Sequence, residues 1–189
     1  ISIQIIGINK HKILYRSGAK YGDDIYVSGN LGSARTALMI KNNRKYKNDF
    51  HFLKKFLHTP SPRIALGLDL SRFATSCIDI SDGIAKDIKN ITDQSKCGAN
   101  IFVEKIPFEK RLEKILSEED FYEAIIGGGE DYELCFTANS NDASKISYLS
   151  KKHKIKITKI GEITIKNLIY SKDSKRLRLN LKGYDHFSS

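Results

Sequence analysis

The sequence lacks several features that would assign a protein to a class at once. It contains no run of about 18 apolar residues and no basic and apolar leader, so it indicates neither a membrane span nor a secretory signal. Its cysteines, Cys77, Cys97 and Cys135, form no CxxC or Cys/His pattern typical of zinc sites. We interpret them as small buried hydrophobic residues in a reducing compartment, and we expect a cytoplasmic protein without membrane contact.

Signals for covalent catalysis are also missing. The five histidines are scattered along the chain, and no nucleophile, base and orienting residue stand in a recognisable pattern. The triple glycine at residues 127–129 lacks the spacing of a P-loop or of a dinucleotide fingerprint. We therefore expect no protein nucleophile and no general base.

The net charge of +10 is concentrated in one part of the chain. Residues 144–189 hold 12 Lys and Arg against three Asp and Glu, which leaves 20 against 19 for residues 1–143. In this basic region the charges alternate with Ile and Leu at strand spacing, as on the wet face of a half-exposed sheet. A solvated face is favoured, and an anion-binding or nucleic-acid surface is the alternative.

The order of apolar patterns predicts a mixed α+β sheet covered by helices. At 189 residues and 40% hydrophobic content the chain can bury a genuine core. Several connections near its end are short enough for hairpins, which argues against a purely parallel sheet. We expect strands at residues 1–8, 24–28, 75–81, 99–106, 132–137, 155–163 and 167–171. We expect a long helical stretch after residue 32 and helices at 63–72, 83–96, 109–116, 118–126 and 142–153, with Gly98 ending the helix at 83–96.

The stretch CIDISDGI (residues 77–84) places two carboxylates three residues apart in an apolar run. Strand periodicity puts Cys77 and Asp79 on one face, with Asp79 where the strand ends. In one interpretation Asp79 and Asp82 bind Mg²⁺ while the Ser81 hydroxyl contacts a phosphate. In the other, Ser81 or Asp82 is simply the N-cap of the next helix. The pattern alone leaves both open.

A second motif runs from the triple glycine through Glu130 and Asp131 into a strand. Three glycines permit positive φ and a close approach to a ligand, and the two acids would then lie at the mouth of the strand. A flexible turn explains the glycines equally well.

Six motifs spread over nearly the whole chain are informative as a set. They are RSGAKYGDDIYVSGNLG (16–32), PSPR (60–63), IDISDGIAKDI (78–88), GGGEDYELCFT (127–137), IGEI (160–163) and KGYDHF (182–187). In this order they resemble the C-terminal part of the thiamine-monophosphate kinase family, within the aminoimidazole ribonucleotide (AIR) synthetase-like superfamily. IDISDG is shared with looser relatives, whereas GGEDYEL together with a terminal GYDHF is specific to this family.

The resemblance implies an ATP-dependent phosphotransferase that converts thiamine monophosphate to thiamine diphosphate in thiamine biosynthesis, with Mg²⁺ as cofactor. The acceptor is already a phosphate anion, which suits a sequence with carboxylates and no catalytic histidine. The implied roles are Mg²⁺ ligands for Asp79 and Asp82, ATP contacts for Arg16 and Ser81, and contacts with the thiamine substrate for Glu130 and Tyr184.

The resemblance also defines what we expect of domains and partners. Residues 1–9 correspond to the last strand of an N-terminal ATP- and Mg²⁺-binding domain, and residues 10–189 to an AIR synthase-like C-terminal domain. We expect a homodimer at full length, no nucleic acid partner, and an inactive enzyme when the N-terminal domain is absent. Residues 31–38 read LGSARTAL where the family usually has LGDSAAGL, so that Ser33 stands for an Asp and Arg35 for a small residue. The rival functions are another ATP-dependent enzyme of the superfamily and a basic nucleic-acid-binding module.

Overall fold

The computed structural model describes residues 12–177 together with residues 3, 4, 6 and 8. Its strands are β1 (Asp24–Ser28), β2 (Ser76–Asp79), β3 (Gly98–Phe102), β4 (Leu134–Ala138), β5 (Ile157–Thr164), β6 (Leu168–Lys172) and β7 (Lys175–Leu177). Its helices are α1 (Ser33–Ile40), α2 (Lys47–His58), α3 (Ile64–Leu70), α4 (Ile84–Ser95), α5 (Leu112–Ile115), α6 (Glu118–Tyr122) and α7 (Ala143–His153). None of the helices in this part of the chain is long and apolar enough to cross a membrane.

The seven strands form one sheet in the order β2-β4-β1-β5-β3-β6-β7. Every neighbouring pair is antiparallel except β3 and β6, which run parallel. The sheet is therefore mixed, and the predicted α+β class with helical cover is confirmed.

Two apolar cores cover the two faces of this sheet. Because successive side chains alternate across a strand, Ile25 and Val27 of β1 enter one core while Tyr26 enters the other. The first core is packed by α1, α2 and α4, and the second by α3 and α7. In the second core Tyr26 stacks on Phe136 of β4, with ring centroids 5.4 Å apart and planes inclined by 14°. Burial on both faces leaves all five residues of β1 inaccessible and makes it the centre of the fold.

The predicted elements agree with the structure in kind and differ mainly at their ends. The strand at 24–28 is confirmed at both ends, and the predicted helix at 142–153 begins one residue later. The long helical stretch is two helices, α1 and α2, separated by a 3₁₀ turn at Arg44–Tyr46. The Asn43 side chain accepts a hydrogen bond from Lys45 N at 3.0 Å, which favours a turn over a continuous helix. The expected strand at residues 1–8 falls largely outside the described residues.

The prediction for Gly98 is wrong. Lys96 takes the left-handed conformation that ends α4, with φ 55°, and Gly98 is instead the first residue of β3. The short link from β5 to β6 passes beside this residue, because β3 lies between those two strands. A Cβ on Gly98 would lie 2.3 Å from the Lys166 carbonyl carbon, so the crossing link requires glycine. Strands β5 and β6 are consequently no hairpin, whereas β6 and β7 are one.

Candidate active site

Backbone hydrogen bonds join the two motifs that the sequence singled out. We call residues 80–83 the ISDG loop and residues 130–133 the EDYE segment. Ile80 N donates to Glu133 O at 2.8 Å, and Tyr132 N donates to Ile80 O at 2.9 Å. Glu130 N donates to Ser81 O at 3.0 Å. The loop and the segment thus extend the pairing of β2 with β4 beyond the strand ends, and they behave as one structural unit.

Asp79 and Asp82 lie where the sequence placed them. Asp79 is the last residue of β2 and its side chain is exposed, while Ile80 behind it is fully buried. Asp82 is half-buried, and its carboxylate receives Lys86 Nζ at 2.7 Å. The strand periodicity that predicted an outward Asp79 is confirmed.

The alternative interpretation, in which Ser81 or Asp82 is the N-cap of the next helix, is wrong. Gly83 is the N-cap residue, with φ 104° and no capping side chain, and α4 begins at Ile84. The chain turns sharply at Gly83, where a Cβ would lie 2.6 Å from Gly127 O. The hydroxyl of Ser81 and the carboxylate of Asp82 are therefore not used as caps of α4.

Asp87 supports the ISDG loop from inside α4 and was missed by the sequence reasoning. It is 2% exposed, and its Oδ2 accepts a hydrogen bond from Asp82 N at 3.2 Å. Burial raises the pKa of the Asp87 carboxyl to about 6; the hydrogen bond from Asp82 N opposes this rise, and the Asp82 and Asp79 charges add to it. The available signal was an acid in the apolar stripe of α4, next to buried Ile88.

The triple glycine packs directly against the ISDG loop. A Cβ on Gly129 would lie 2.1 Å from Ser81 O, so close backbone packing accounts for this glycine. Directly after it, Glu130 and Tyr132 adopt left-handed φ values of 69° and 51°. The Tyr132 hydroxyl donates a hydrogen bond to Glu130 Oε2 at 3.1 Å. Non-glycine residues in this region cost roughly 1–3 kcal/mol each, and such strain is typical of functional sites.

The two acids of this motif have different surroundings. Glu130 is exposed, as expected of a residue at the mouth of a strand. Asp131 instead turns its enclosed carboxylate toward the start of α1, where it accepts a hydrogen bond from Gly32 N at 2.8 Å. Burial raises the pKa of Asp131 to about 8, although hydrogen bonds from the backbone N–H groups of Gly32, Ala34 and Ser33 lower it. Asp131 therefore anchors a helix, and Glu130 is the acid available to a ligand.

The sequence reasoning also missed a buried hydrogen-bond network around Glu133, the last residue of the EDYE segment. Glu133 is 7% exposed and accepts hydrogen bonds from Arg63 Nε at 2.7 Å and from Arg63 Nη2. The Ser28 hydroxyl donates to the same carboxylate, and Ser28 Oγ accepts a hydrogen bond from Leu134 N at 2.9 Å. Because Ser28, Arg63 and Glu133 are far apart in the chain, no local pattern reveals that they meet.

One cavity borders β2 and another borders the ISDG loop. The larger cavity, of about 680 Å³, is lined by Asp79, Arg63 and Tyr132 among mainly apolar residues. The smaller cavity, of about 180 Å³, is lined by Ser81, Asp82 and Glu130. The two carboxylates of the predicted metal pair thus line different cavities.

Arg16 belongs to a segment that borders the larger cavity. Its neighbour Tyr15 accepts a hydrogen bond from Cys77 N at 2.9 Å, so the segment runs along the open edge of β2. Arg16 itself is exposed, and residues 12–14 line the cavity. Tyr184, the remaining predicted site residue, lies outside the described residues.

Ser33 and Arg35, which depart from the family pattern, lie on α1. Ser33 is 1% exposed, and among the described residues its hydroxyl finds no hydrogen-bond partner. Arg35 lines the smaller cavity, where its Nη2 lies 3.6 Å from Glu123 Oε1. The Arg35 side chain thus alters the wall of this cavity.

The donor set suits Mg²⁺ in part. Carboxylate oxygens are its usual protein ligands, and it is commonly held by one or two carboxylates together with water and substrate phosphates. Asp79 and Asp82 supply such a pair. Residues 12–177 contain no group of three or more His, Cys, Asp or Glu side chains arranged to hold a metal ion. Further ligands would have to come from phosphate groups, from water or from elsewhere in the protein.

Known proteins resemble the chain over most of its length. The thiamine-monophosphate kinase of Buchnera aphidicola subsp. Acyrthosiphon pisum is 36% identical over 194 residues, covering 99% of this chain and 60% of that protein. The crystal structure of the thiamine-monophosphate kinase from Stenotrophomonas maltophilia K279a superposes with a TM-score of 0.81 at 32% identity, covering 90% of this chain and 56% of that one. AaThiL complexed with AMPPCP and TMP superposes with a TM-score of 0.72 at 27% identity, covering 92% and 54%.

These matches confirm the resemblance to thiamine-monophosphate kinases. The chain spans about 60% of the length of the curated relative it matches. The family model of the C-terminal domain of AIR synthase related proteins matches residues 20–172, which include β1 to β6, the ISDG loop and the EDYE segment. The chain therefore belongs to the family of AIR synthase related proteins, and it contains their C-terminal domain.

Proposed function

We propose that the chain acts in a thiamine-monophosphate kinase, which transfers the γ-phosphoryl group of ATP to thiamine monophosphate. One observation carries the proposal: Asp79 at the end of β2 lines one cavity, and Ser81 and Asp82 directly after it line another. Phosphoryl transfer needs both phosphate compounds within reach of one set of polar groups, and this short stretch of chain borders both cavities. The names of the relatives, including a complex with AMPPCP and TMP, agree with this assignment.

The reaction needs little from acid or base groups. An oxygen of the acceptor phosphate attacks the γ-phosphorus of ATP, the bond from that phosphorus to the bridging oxygen breaks, and ADP leaves with the electron pair. The second pKa of a phosphomonoester is about 6, so the attacking oxygen is ionised at neutral pH without a base. The barrier comes mainly from bringing two polyanions together, which positioning and positive charge overcome.

Four residues have a defined task in this proposal. Asp79 and Asp82 would hold Mg²⁺, which neutralises charge on the phosphate oxygens. The Ser81 hydroxyl, which is not used as a helix cap, donates to a phosphate oxygen of ATP. Arg16 approaches the nucleotide from the segment that borders the larger cavity. The backbone bonds from Ile80 to the EDYE segment keep these groups in register.

Glu130 is the acceptor-side residue of the proposal. Its exposed carboxylate lines the smaller cavity, and the Tyr132 hydroxyl orients it. A carboxylate there complements the positive charge of a thiazolium or aminopyrimidine ring. Tyr184 is proposed to pack against the same substrate through its aromatic face.

The remaining proposals concern the setting of the enzyme. We propose a cytoplasmic homodimer, in which residues 1–9 are the last strand of an N-terminal domain that completes the ATP and Mg²⁺ site. On this proposal residues 1–189 alone form no thiamine diphosphate, because the metal cluster is incomplete.

The test is a direct assay of the purified protein, expressed with any coding sequence that lies upstream of Ile1. ATP, Mg²⁺ and thiamine monophosphate are supplied, and thiamine diphosphate is measured by chromatography. We expect product that depends on all three. Absence of product with thiamine monophosphate, together with ATP turnover on another acceptor, would assign the protein to a different enzyme of the superfamily. Product from residues 1–189 alone would contradict the need for a further domain.

The basic C-terminal region gives little support to the nucleic-acid alternative. Lys152 Nζ and His153 Nε2 both contact Asp69 Oδ2, at 2.6 and 2.8 Å. Lys145 Nζ lies 2.6 Å from Asp142 Oδ1. Lys145 and Lys152 are therefore paired with neighbouring carboxylates, as on a solvated surface.

A further inference from the structure

Arg63 is held in one orientation at the wall of the larger cavity. It precedes α3, and Pro60 and Pro62 before it line the same cavity. Its Nε and Nη2 atoms form a two-point contact with the Glu133 carboxylate. An arginine bound through this fork cannot swing freely, so its remaining N–H groups point in a fixed direction.

A buried residue completes the hydrogen-bond network that holds Arg63. The Ser28 hydroxyl donates to Glu133, and Ser28 is fully buried at the end of β1. The Glu133 carboxylate also occupies the space beside Gly29, where a Cβ would lie 2.3 Å from Glu133 Cδ. Glu133 thus has its charge enclosed, whereas the Arg63 side chain is 22% exposed and lines the cavity. Of the five guanidinium N–H groups, the two-point contact uses two and leaves three for another acceptor.

The rest of the cavity wall defines what kind of acceptor would fit. Lys12 is a second cation on the wall, and Asp79 lies at the edge that leads to the ISDG loop. Most other lining residues are apolar, among them Ile13, Leu14, Ile64, Leu68 and Leu134. Ligand sites of this kind combine a broad apolar wall with a few fixed polar groups. A nucleoside polyphosphate, which has a flat base and a chain of phosphate oxygens, matches both parts.

We propose that Arg63 is a phosphate-binding residue for a nucleoside polyphosphate in the larger cavity, with Glu133 and Ser28 as its positioning residues. This inference rests on the proposed function, which requires ATP beside the ISDG loop. If the ion pair were purely structural, it would only connect the start of α3 to the start of β4. Its loss would then leave ligand affinity unchanged.

The test compares ADP with adenosine, because only ADP carries phosphate. Titration calorimetry in the presence of Mg²⁺ is run on the wild type, Arg63→Lys and Arg63→Gln, each with any sequence upstream of Ile1 included. Arg63→Lys keeps the charge but loses the fork. We expect ADP affinity to fall about ten- to a hundredfold in both variants while adenosine affinity stays within about twofold. Arg111→Lys is the matched control, since Arg111 also pairs with a carboxylate, at 3.4 Å from Asp49, and it should leave both affinities unchanged.

Two outcomes would overturn the inference in distinguishable ways. If both Arg63 variants bind ADP like the wild type and only their thermal midpoints fall, the ion pair is structural while the proposed function stands. If the wild type binds no ADP, the proposed function fails and the inference fails with it.

A measurement on the unmutated protein covers the case in which the variants do not fold. Saturating ADP, but not adenosine, should protect Arg63 from an arginine-selective dicarbonyl reagent, read by mass spectrometry of its peptide. Equal labelling of Arg63 with and without ADP would refute the role.

Discussion

Charged side chains are arranged in opposite ways at the ISDG loop and in the basic C-terminal region. In the basic region, cations of α7 pair with carboxylates, as Lys152 does with Asp69 and Lys145 with Asp142. At the loop, like charges are gathered: Asp79, Asp82 and Asp87 lie close enough for the first two to raise the pKa of the third. Clustering of like charges is unfavourable unless a cation or ligand offsets it. The local arrangement of charge therefore indicates function better than the net charge of +10 does.

The largest expected effect is on activity at the loop. Asp79→Asn and Asp82→Asn should each lower kcat/KM for thiamine diphosphate formation by roughly 10²- to 10³-fold, because an amide is a poor ligand for Mg²⁺. The matched control is Asp93→Asn, since Asp93 pairs with Lys89 four residues away, as Asp82 pairs with Lys86. It should lower kcat/KM by less than about twofold. Equal losses in all three variants would mean that Asp79 and Asp82 have no special role.

The next effect is on stability behind the loop. Glu133→Gln should lower the free energy of unfolding by about 3–5 kcal/mol, since it leaves the Arg63 charge without its partner in a largely buried position. Urea denaturation followed by circular dichroism measures this. The counterpart in the basic region is Lys172→Met, which removes an exposed contact with the Tyr122 hydroxyl at 2.8 Å. Its cost should stay below about 1 kcal/mol. Similar costs for the two variants would contradict the contrast between the regions.

A third effect depends on pH and concerns Asp87. Its folded pKa of about 6 lies above the ordinary value of 3.8, so the folded state binds its proton more tightly than the unfolded state. Stability from this group is full below pH 3.8 and declines as the pH rises toward 6. The free energy of unfolding of Asp87→Asn relative to the wild type should therefore increase by about 3 kcal/mol between pH 4 and 7. A constant difference across this range would show that ionisation of Asp87 does not destabilise the folded state.

The smallest effect is expected from reversing charge on the exposed β7. Lys175→Glu combined with Arg176→Glu should change kcat/KM by less than about twofold, because neither residue borders the loop. Binding to duplex DNA at low and moderate salt is measured on the same protein. Tight wild-type binding with a steep salt dependence that the double variant loses would revive the nucleic-acid alternative.

The sequence predicted elements whose signal is local. The strand Asp24–Ser28 follows directly from an apolar run bounded by turn residues, and Asp79 faces outward because strand periodicity requires it. Motifs specific to a family also identified the metal pair and Glu130 as candidates. The structure brings these residues to one loop and one segment that share hydrogen bonds.

What the sequence could not predict depends on contacts between distant residues. Arg63 and Glu133 are 70 positions apart, and no residue pattern near either one indicates that they pair. In the sequence Asp131 looks equivalent to its neighbour Glu130. Only the structure shows that Gly32 N, at the start of α1, donates a hydrogen bond to the Asp131 carboxylate. Gly98 resembles a helix-ending glycine, and only the link crossing beside β3 shows why it is needed.

The hydrogen bonds between the ISDG loop and the EDYE segment limit how this site can change in evolution. One inserted or deleted residue between Gly129 and Glu133 would slide the segment past the loop by one position. Glu130 and Tyr132, which now line the cavities in left-handed conformations, would then lose the positions that the hydrogen bonds to Ser81 O and Ile80 O give them. We therefore expect the chain length at this point to tolerate insertion or deletion poorly, and sequence change to occur here mainly by substitution.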